Sequence, residues 1–451
     1  MRVEINNSNR LLKIIEEITG EKIHSPITGI TTDSRDCKSG DLYIALVGDR
    51  NDGHEYIKDV DSMKASAALV HKKNVDKNLS LQQILVNDTK KTLGEIAKKW
   101  RNHFDIPIIA ITGSNGKTST KELLHHLLNN TFNVHATRGN YNTSIGVPLS
   151  LLELKKSHSI SIIEMGANQP GDIKYLCEIA NPTHGLITNI SSAHFEGFQS
   201  IKNIVKTKGY LFKYLKNGLC FVNCADQKIK SIKIKGNQVT YGLHSECDFP
   251  ADIHHESNGS IILTINTKEI KTNSRNLSFA KNIIAVSSIA ITLGMEWELL
   301  QEKILTYMPP KGRCNIMRYN KITVIDDTYN ANLESCLAAI DYLMAFSGTG
   351  RKIFVLGDML ELGDESIKQH SELGTKCSKV KIDALFSLGK ETEATHLNIN
   401  DININLHFNN SKELINSLKL HLKDDDTILF KGSRGMKMEK IISGVFHNNV
   451  I

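Results

Sequence analysis

No apolar run in this chain approaches the ~18 residues that a membrane-spanning helix needs. The first twenty residues, MRVEINNSNRLLKIIEEITG, carry charges at helical spacing and no continuous apolar stretch, so they do not read as a secretory signal. The eight cysteines are scattered, and the closest pair, Cys220 and Cys224, has no matching His or Cys pair nearby. That spacing disfavours zinc sites and disulfide frameworks and points to free thiols in a reducing compartment. Dense Lys/Arg blocks interleaved with aromatics are missing, and the net charge of +6 is spread out. Nucleic acid is therefore not the expected partner, while an anionic small substrate suits the mild basic balance. No internal repeat is found. What is left is a cytoplasmic chain of 451 residues, 40% hydrophobic and 23% charged, with length enough for about three ordinary domains.

The most informative stretch is Ile106–Thr120, IPIIAITGSNGKTST. Ile108 to Ile111 suit a buried parallel strand. Thr112, Gly113, Ser114, Asn115, Gly116, Lys117 and Thr118 follow, and a helical pattern then begins. Strand, glycine loop, Lys-Thr and helix form the layout of a phosphate-binding loop. Its backbone N–H groups close on phosphate oxygens, and the helix N-terminus adds partial positive charge. Lys117 can supply a point charge, and the Thr118 hydroxyl is placed for magnesium. Ile111 stands where the usual eight-residue pattern has its first glycine. The stretch predicts a nucleoside triphosphate site without saying what the triphosphate is used for.

The rest of the chain reads as α/β throughout. Residues 1–88 form a small N-terminal α/β domain with two polar loops, each carrying an Arg and each following a strand. Residues 89–308 alternate strands and helices around the glycine loop, a doubly wound, mostly parallel sheet. Within them, 238–272 alternate strongly and suggest an antiparallel extension. Residues 309–451 form a C-terminal Rossmann-like α/β domain, entered through Tyr307–Arg313. Its Asn/Ile-rich stretch 398–410 reads as one alternating strand.

Several polar residues close apolar strands, where ligand sites of such sheets lie. Glu164 could hold magnesium. His194 follows the next strand. Lys206 and Lys208 sit on a helical pattern, and on the residues alone they read as solvated surface charges. The cluster Asp326-Asp327-Thr328-Tyr329-Asn330-Ala331-Asn332 could bind ribose, magnesium or a substrate, or cap the helix that begins near Leu333. Lys431-Gly432-Ser433-Arg434 resembles a second anion-binding turn.

Taken together, TDSR at 32–35, GDLYIALVGDRNDGHEYI at 40–57, TGSNGKTSTKELL at 112–124, GNYNTSIGVPLSLL at 139–152, EMGANQPGDI at 164–173, AHFEGF at 193–198, DDTYNANLES at 326–335, LGDMLELGDES at 356–366 and KGSRGMKME at 431–439 resemble the Mur ligases of peptidoglycan synthesis. The resemblance runs from about Thr31 to Glu439. The loop without its first glycine is the form this family uses. The Asp-Asn-Pro-Arg signature of the branch that adds the third amino acid is absent, and LGDMLELG and KGSR are similar to the branch that adds D-alanyl-D-alanine.

The resemblance implies an ADP-forming ligase that joins D-alanyl-D-alanine to a UDP-N-acetylmuramoyl-tripeptide through an acyl phosphate. It implies ATP, two Mg2+ ions, a carbamate on Lys208 and a monomeric enzyme. Lys117 would meet the ATP phosphates, and Thr118, Glu164, His194 and carbamylated Lys208 would hold magnesium. Asn282 would contact adenine, with Arg313, Asp327 and Tyr329 completing the ATP site. Ser34, Arg35 and the 48–54 loop would hold the uridine end. Asn142 and Thr143 would lie beside the sugar-peptide, and Tyr329 and Asn330 would face ATP or the dipeptide. Two positions depart from the family: Tyr210 stands where Glu is usual, and Phe279 replaces an Asn three residues before Asn282. The alternatives are a related ligase adding the third residue, a folate-type polyglutamate ligase, and a nucleotide-binding switch that signals through a partner.

Overall fold

The structure, a computed structural model, describes residues 1–48, 51–72, 79–129, 131–191, 195–257, 259–348 and 350–446. Among these residues, three sheets organise the chain. The first contains β1 (Arg2–Glu4), β2 (Gly29–Thr31), β3 (Asp41–Ile44), β4 (Ala67–Val70) and β5 (Gln82–Leu85), in sequence order. Only β1 runs antiparallel to its neighbour. The fully buried runs of β3 and β4 explain why both read as continuous apolar stretches.

The second sheet holds β6 (Ile108–Thr112), β7 (Val134–Ala136), β8 (Ile160–Glu164), β9 (His184–Ile187), β10 (Leu219–Asn223), β11 (Asn237–Gly242), β12 (Phe249–His255), β13 (Ile261–Ile265) and β14 (Lys268–Lys271). Their order is β14-β13-β12-β11-β10-β9-β6-β8-β7. The chain leaves β6 toward β7 and β8 on one side and returns to β9 on the other. This reversal puts a topological switch point at the C-terminal end of β6. The antiparallel extension is narrower than the alternation of 238–272 predicts: β11 pairs parallel with both β10 and the start of β12, and only β12-β13-β14 are antiparallel. Alternation reports burial on one face and carries no information on strand direction.

Two helices lock the glycine loop from below. Lys117–Leu128 buries Leu123, Leu124, Leu127 and Leu128, and packs against Leu277–Thr292, which is apolar on most of its circumference. Helix Thr89–Arg101 packs on the first sheet's helix Ser8–Thr19 and on central helices Gly146–Leu152 and Asp172–Ala180, so one apolar cluster runs through both units.

The third sheet comprises β15 (Asn315–Tyr319), β16 (Ile322–Asp327), β17 (Lys352–Gly357), β18 (Ala384–Leu388), β19 (Ile404–Phe408) and β20 (Thr427–Lys431), in the order β15-β16-β20-β17-β18-β19. It is parallel except at β15. The stretch 398–410 supplies a strand only over Ile404–Phe408, and Asp401 takes a positive φ of 57° ahead of it.

Candidate active site

The glycine loop is fixed by steric demand and by hydrogen bonds from the residues after β9. Gly113 has φ +151°, and a Cβ there would stand 1.9 Å from Thr188 Oγ1. Gly116 has φ +80°, the left-handed region that glycine adopts without cost, and packs against the Asn282 amide. Ser114 N–H donates to Asn189 O at 2.9 Å, Asn115 N–H donates to Asn189 Oδ1 at 3.0 Å, and Thr188 Oγ1 donates to Asn115 O at 2.6 Å. Thr112 Oγ1 donates to Met165 O, tying the strand end to the residue after Glu164. Lys117 folds back over the loop and donates to Gly113 O at 2.8 Å and Ser114 O at 3.1 Å. Burial pushes its pKa down and the Glu164 charge works against that shift.

Glu164 closes β8 at 1% exposure. Its Oε1 accepts from Thr118 Oγ1 at 3.2 Å and from Asn142 Nδ2 at 2.6 Å. Its Oε2 is buried and has no hydrogen-bond partner among the described residues. A buried carboxylate oxygen left open beside a hydroxyl is a hard-oxygen pair that fits a divalent cation.

Lys208 corrects the expectation of a solvated charge. It ends helix Ile201–Lys208 at 1% exposure, while Lys206 on the same helix is exposed. Its Nζ stands 5.8 Å from the Phe198 ring centroid. Burial, then the nearby Lys117 charge, hold its pKa well below the lysine value. Both effects favour the free amine, the form of lysine that reacts with carbon dioxide. His194 lies outside the described residues.

The third sheet reaches into the same place. Arg313 Nη2 donates to Thr118 Oγ1 at 3.3 Å, and its guanidinium lies 3.9 Å from the Tyr329 ring centroid. Arg434 stands 5.8 Å from the same ring. Asp327 pairs with the buried Lys431 at 2.5 Å, and Lys431 also donates to Asn330 O. Burial works to lower the Lys431 pKa, but the Asp327 carboxylate carries it above the usual value. Asn332 caps helix Leu333–Met344, and its Nδ2 donates to Asn115 Oδ1 at 2.7 Å. Asn332 and Lys431 lie outside the expected site set. Their signals were a cap position inside a polar cluster and a lysine opening the Lys431–Arg434 turn.

These residues line one cleft of about 1650 Å³ between the sheets, including Ser114 to Thr118, Asn142, Thr143, Glu164, Asn282, Arg313, Asp327, Tyr329 and Asn330. Of the expected site residues that the structure describes, Ser34, Arg35, Thr112, Gly113 and Lys208 stand outside its lining. Ser34 and Arg35 form a short turn after β2. Arg35 is exposed and binds Asp33 at 2.6 Å, and that hydrogen bond lowers the Asp33 carboxyl to about 2. Within the 48–54 loop, Asp49 and Arg50 lie outside the described residues. Asp52 takes hydrogen bonds from His54 and Lys72, both at 2.6 Å.

Three family models match the chain. Residues 26–101 match the Mur ligase family catalytic domain, 111–290 the Mur ligase middle domain, and 312–434 the Mur ligase glutamate ligase domain. A UDP-N-acetylmuramoyl-tripeptide–D-alanyl-D-alanine ligase of Buchnera aphidicola subsp. Baizongia pistaciae is 36% identical over 93% of this chain and 93% of its own. The chain belongs to the Mur ligase family. Among solved Mur ligase structures, MurF from Acinetobacter baumannii superposes with a TM-score of 0.88 at 29% identity, covering 97% of this chain and 98% of that one. MurF ligase from Thermotoga maritima in complex with ADP gives 0.83 at 30% identity, covering 93% and 97%. The three-domain α/β architecture of this Mur ligase is the one expected from its sequence. No helix among the described residues is long and apolar enough to cross a membrane.

Proposed function

We propose that the chain is an ATP-dependent ligase that joins D-alanyl-D-alanine to UDP-N-acetylmuramoyl-tripeptide. The observation that carries this reading is the meeting of two sheets at one loop: Arg313 and Asn332 of the third sheet's unit bond directly to Thr118 and Asn115 of the glycine loop. A nucleotide switch has no need of such an arrangement, whereas a ligase must hold ATP, an acid and an amine together. Near-full-length similarity to ligases of this name supports the choice of substrates.

In this reading residues 1–88 hold the uridine end through Ser34, Arg35 and the 48–54 loop, and residues 89–308 and 309–451 share ATP. Lys117 leaves the loop carbonyls for the phosphate oxygens, and the loop N–H groups beyond Ser114 and Asn115, which are bonded to Asn189, take the rest. Asn282, beside Gly116, contacts adenine. Arg313, stacked on Tyr329, meets the phosphates from the opposite wall. Asp327, fixed by Lys431, orients the ribose side, and Asn142, Thr143 and Asn330 border the peptide. Thr118, Glu164, His194 and carbamylated Lys208 would hold magnesium, which when bound supplies charge neutralisation at the transferring phosphoryl group.

A carboxylate oxygen of the tripeptide attacks the γ-phosphorus as its bond to ADP breaks, giving the acyl phosphate. The dipeptide's neutral amine adds to the acyl carbon, the tetrahedral adduct loses phosphate, and the nitrogen gives up a proton to leave the amide. Aimed donors such as Lys117 and Arg313 act where negative charge accumulates. The test is phosphate release by purified protein with each substrate omitted in turn. Release should require both the nucleotide tripeptide and D-alanyl-D-alanine. Release indifferent to the dipeptide would refute the reading.

A further inference from the structure

Lys121 lies one turn beyond Lys117 on helix Lys117–Leu128, and its side chain is fully buried. The ammonium has three partners. It donates to Thr137 O at 2.5 Å and to Gly139 O at 3.3 Å, and it pairs with Glu122 Oε1 at 2.6 Å. A buried ammonium carries a desolvation cost that an apolar side chain of similar length would avoid. The charge is explained by what it holds, the segment 137–142.

That segment grips Glu164 at both ends. At one end Thr137 Oγ1 accepts from Glu164 N–H at 3.0 Å, while Thr137 N–H donates to Ile162 O. At the other end Asn142 O accepts from Gly166 N–H at 2.8 Å, and Asn142 Nδ2 donates to Glu164 Oε1 at 2.6 Å. The fit is close, since a Cβ on Gly166 would stand 2.7 Å from Asn142 Oδ1. Between the two ends, Gly139 turns through φ +51°, and its carbonyl is one of those Lys121 holds. Thr118, three residues before Lys121 on the same helix, donates to the same Glu164 oxygen.

We propose that Lys121 is a positioning residue for Glu164: its ammonium holds segment 137–142 so that the Asn142 amide and the Thr118 hydroxyl converge on one carboxylate oxygen and leave the other open. The proposal rests on the reading that Glu164 serves a metal-nucleotide. It differs from the role of Lys117, because Lys117 lines the cleft whereas Lys121 lies outside the lining and acts through Asn142.

The experiment is a double-mutant cycle on Mn2+·ADP binding, measured by titration calorimetry on the full chain, with the melting temperature recorded for each variant. Lys121→Met and Asn142→Ala should each weaken Mn2+·ADP by roughly 10-fold, the size of effect seen when groups supporting a metal ligand are removed. The double variant should bind no worse than the weaker single, because losing Lys121 already frees Asn142. Losses that multiply, or Lys121→Met binding as tightly as wild type, would overturn the proposal. A purely structural lysine would lower the melting temperature and leave the dissociation constant of the folded fraction unchanged. Should Lys121→Met not fold, the nearly isosteric Thr137→Val cuts the same segment without stranding a charge. It should weaken binding non-additively with Asn142→Ala, and wild-type binding would count against the proposal. Because the assay needs no peptide substrate, a wild type that binds Mn2+·ADP and forms no amide would refute the ligase reading alone.

Discussion

Glu164 holds two donors on one carboxylate oxygen and none among the described residues on the other. Glu164→Gln keeps the shape and removes the charge. It should leave the melting temperature within a few degrees and cut kcat by about 10²-fold or more, the scale of losing one aimed electrostatic contact. A kcat within twofold of wild type would remove Glu164 from the reaction. Lys208→Ala should nearly abolish turnover and be partly rescued by short carboxylic acids, read as kcat with and without acetate. Unchanged turnover would contradict the proposed carbamate on Lys208. The two residues were not equally legible. Glu164 announces itself by closing an apolar strand, whereas Lys208 looks like any helical lysine, because its burial comes from Phe198 and from the packing of its helix on helix Asp172–Ala180. Lys431 and Asp327 are 104 residues apart and meet only because β20 inserts beside β16.

At the scale of elements, helix Leu333–Met344 does two things at its first residue. Asn332 Oδ1 accepts from Ser335 N–H at 3.0 Å as a cap, and Asn332 Nδ2 reaches across to the glycine loop. Asn332→Asp keeps the cap acceptor and sets a carboxylate against the Asn115 side-chain oxygen Oδ1. Stability should change by less than about 1 kcal/mol, since aspartate caps as well as asparagine. The KM for ATP should rise or kcat fall by roughly 10-fold, the cost of one lost charge-sensitive contact. Steady-state kinetics beside a denaturation curve separates the two roles, and unchanged kinetics would reduce Asn332 to a cap. Strand–loop–helix order was readable here because its glycines and Lys-Thr sit at a strand end. The antiparallel edge β15 and the directions of β11 and β12 were not, because pairing direction depends on connections rather than on side-chain alternation.

The whole molecule carries several imidazoles that burial holds below their ordinary pKa: His135 at about 3, with His125, His184 and His370 also lowered. Each binds a proton less readily folded than unfolded, so its contribution to stability is complete above the unfolded value near 6.5 and is lost as pH falls toward the folded value. The melting temperature should therefore decline from about pH 6.5 downward, well before carboxylates such as Asp33 protonate. A flat profile from pH 8 to 5 would contradict this. The architecture of three α/β units was legible from alternating strands and helices, but the convergence of Arg313 and Asn332 on the loop exists only once the chain has folded. In the proposed reading that convergence serves direct phosphoryl transfer to a carboxylate, and oxygen transfer tests the proposal most directly. With the tripeptide's terminal carboxylate labelled in both oxygens by 18O, mass spectrometry of the released phosphate should find one labelled oxygen per amide formed. Phosphate carrying no label while amide accumulates would contradict the acyl-phosphate account.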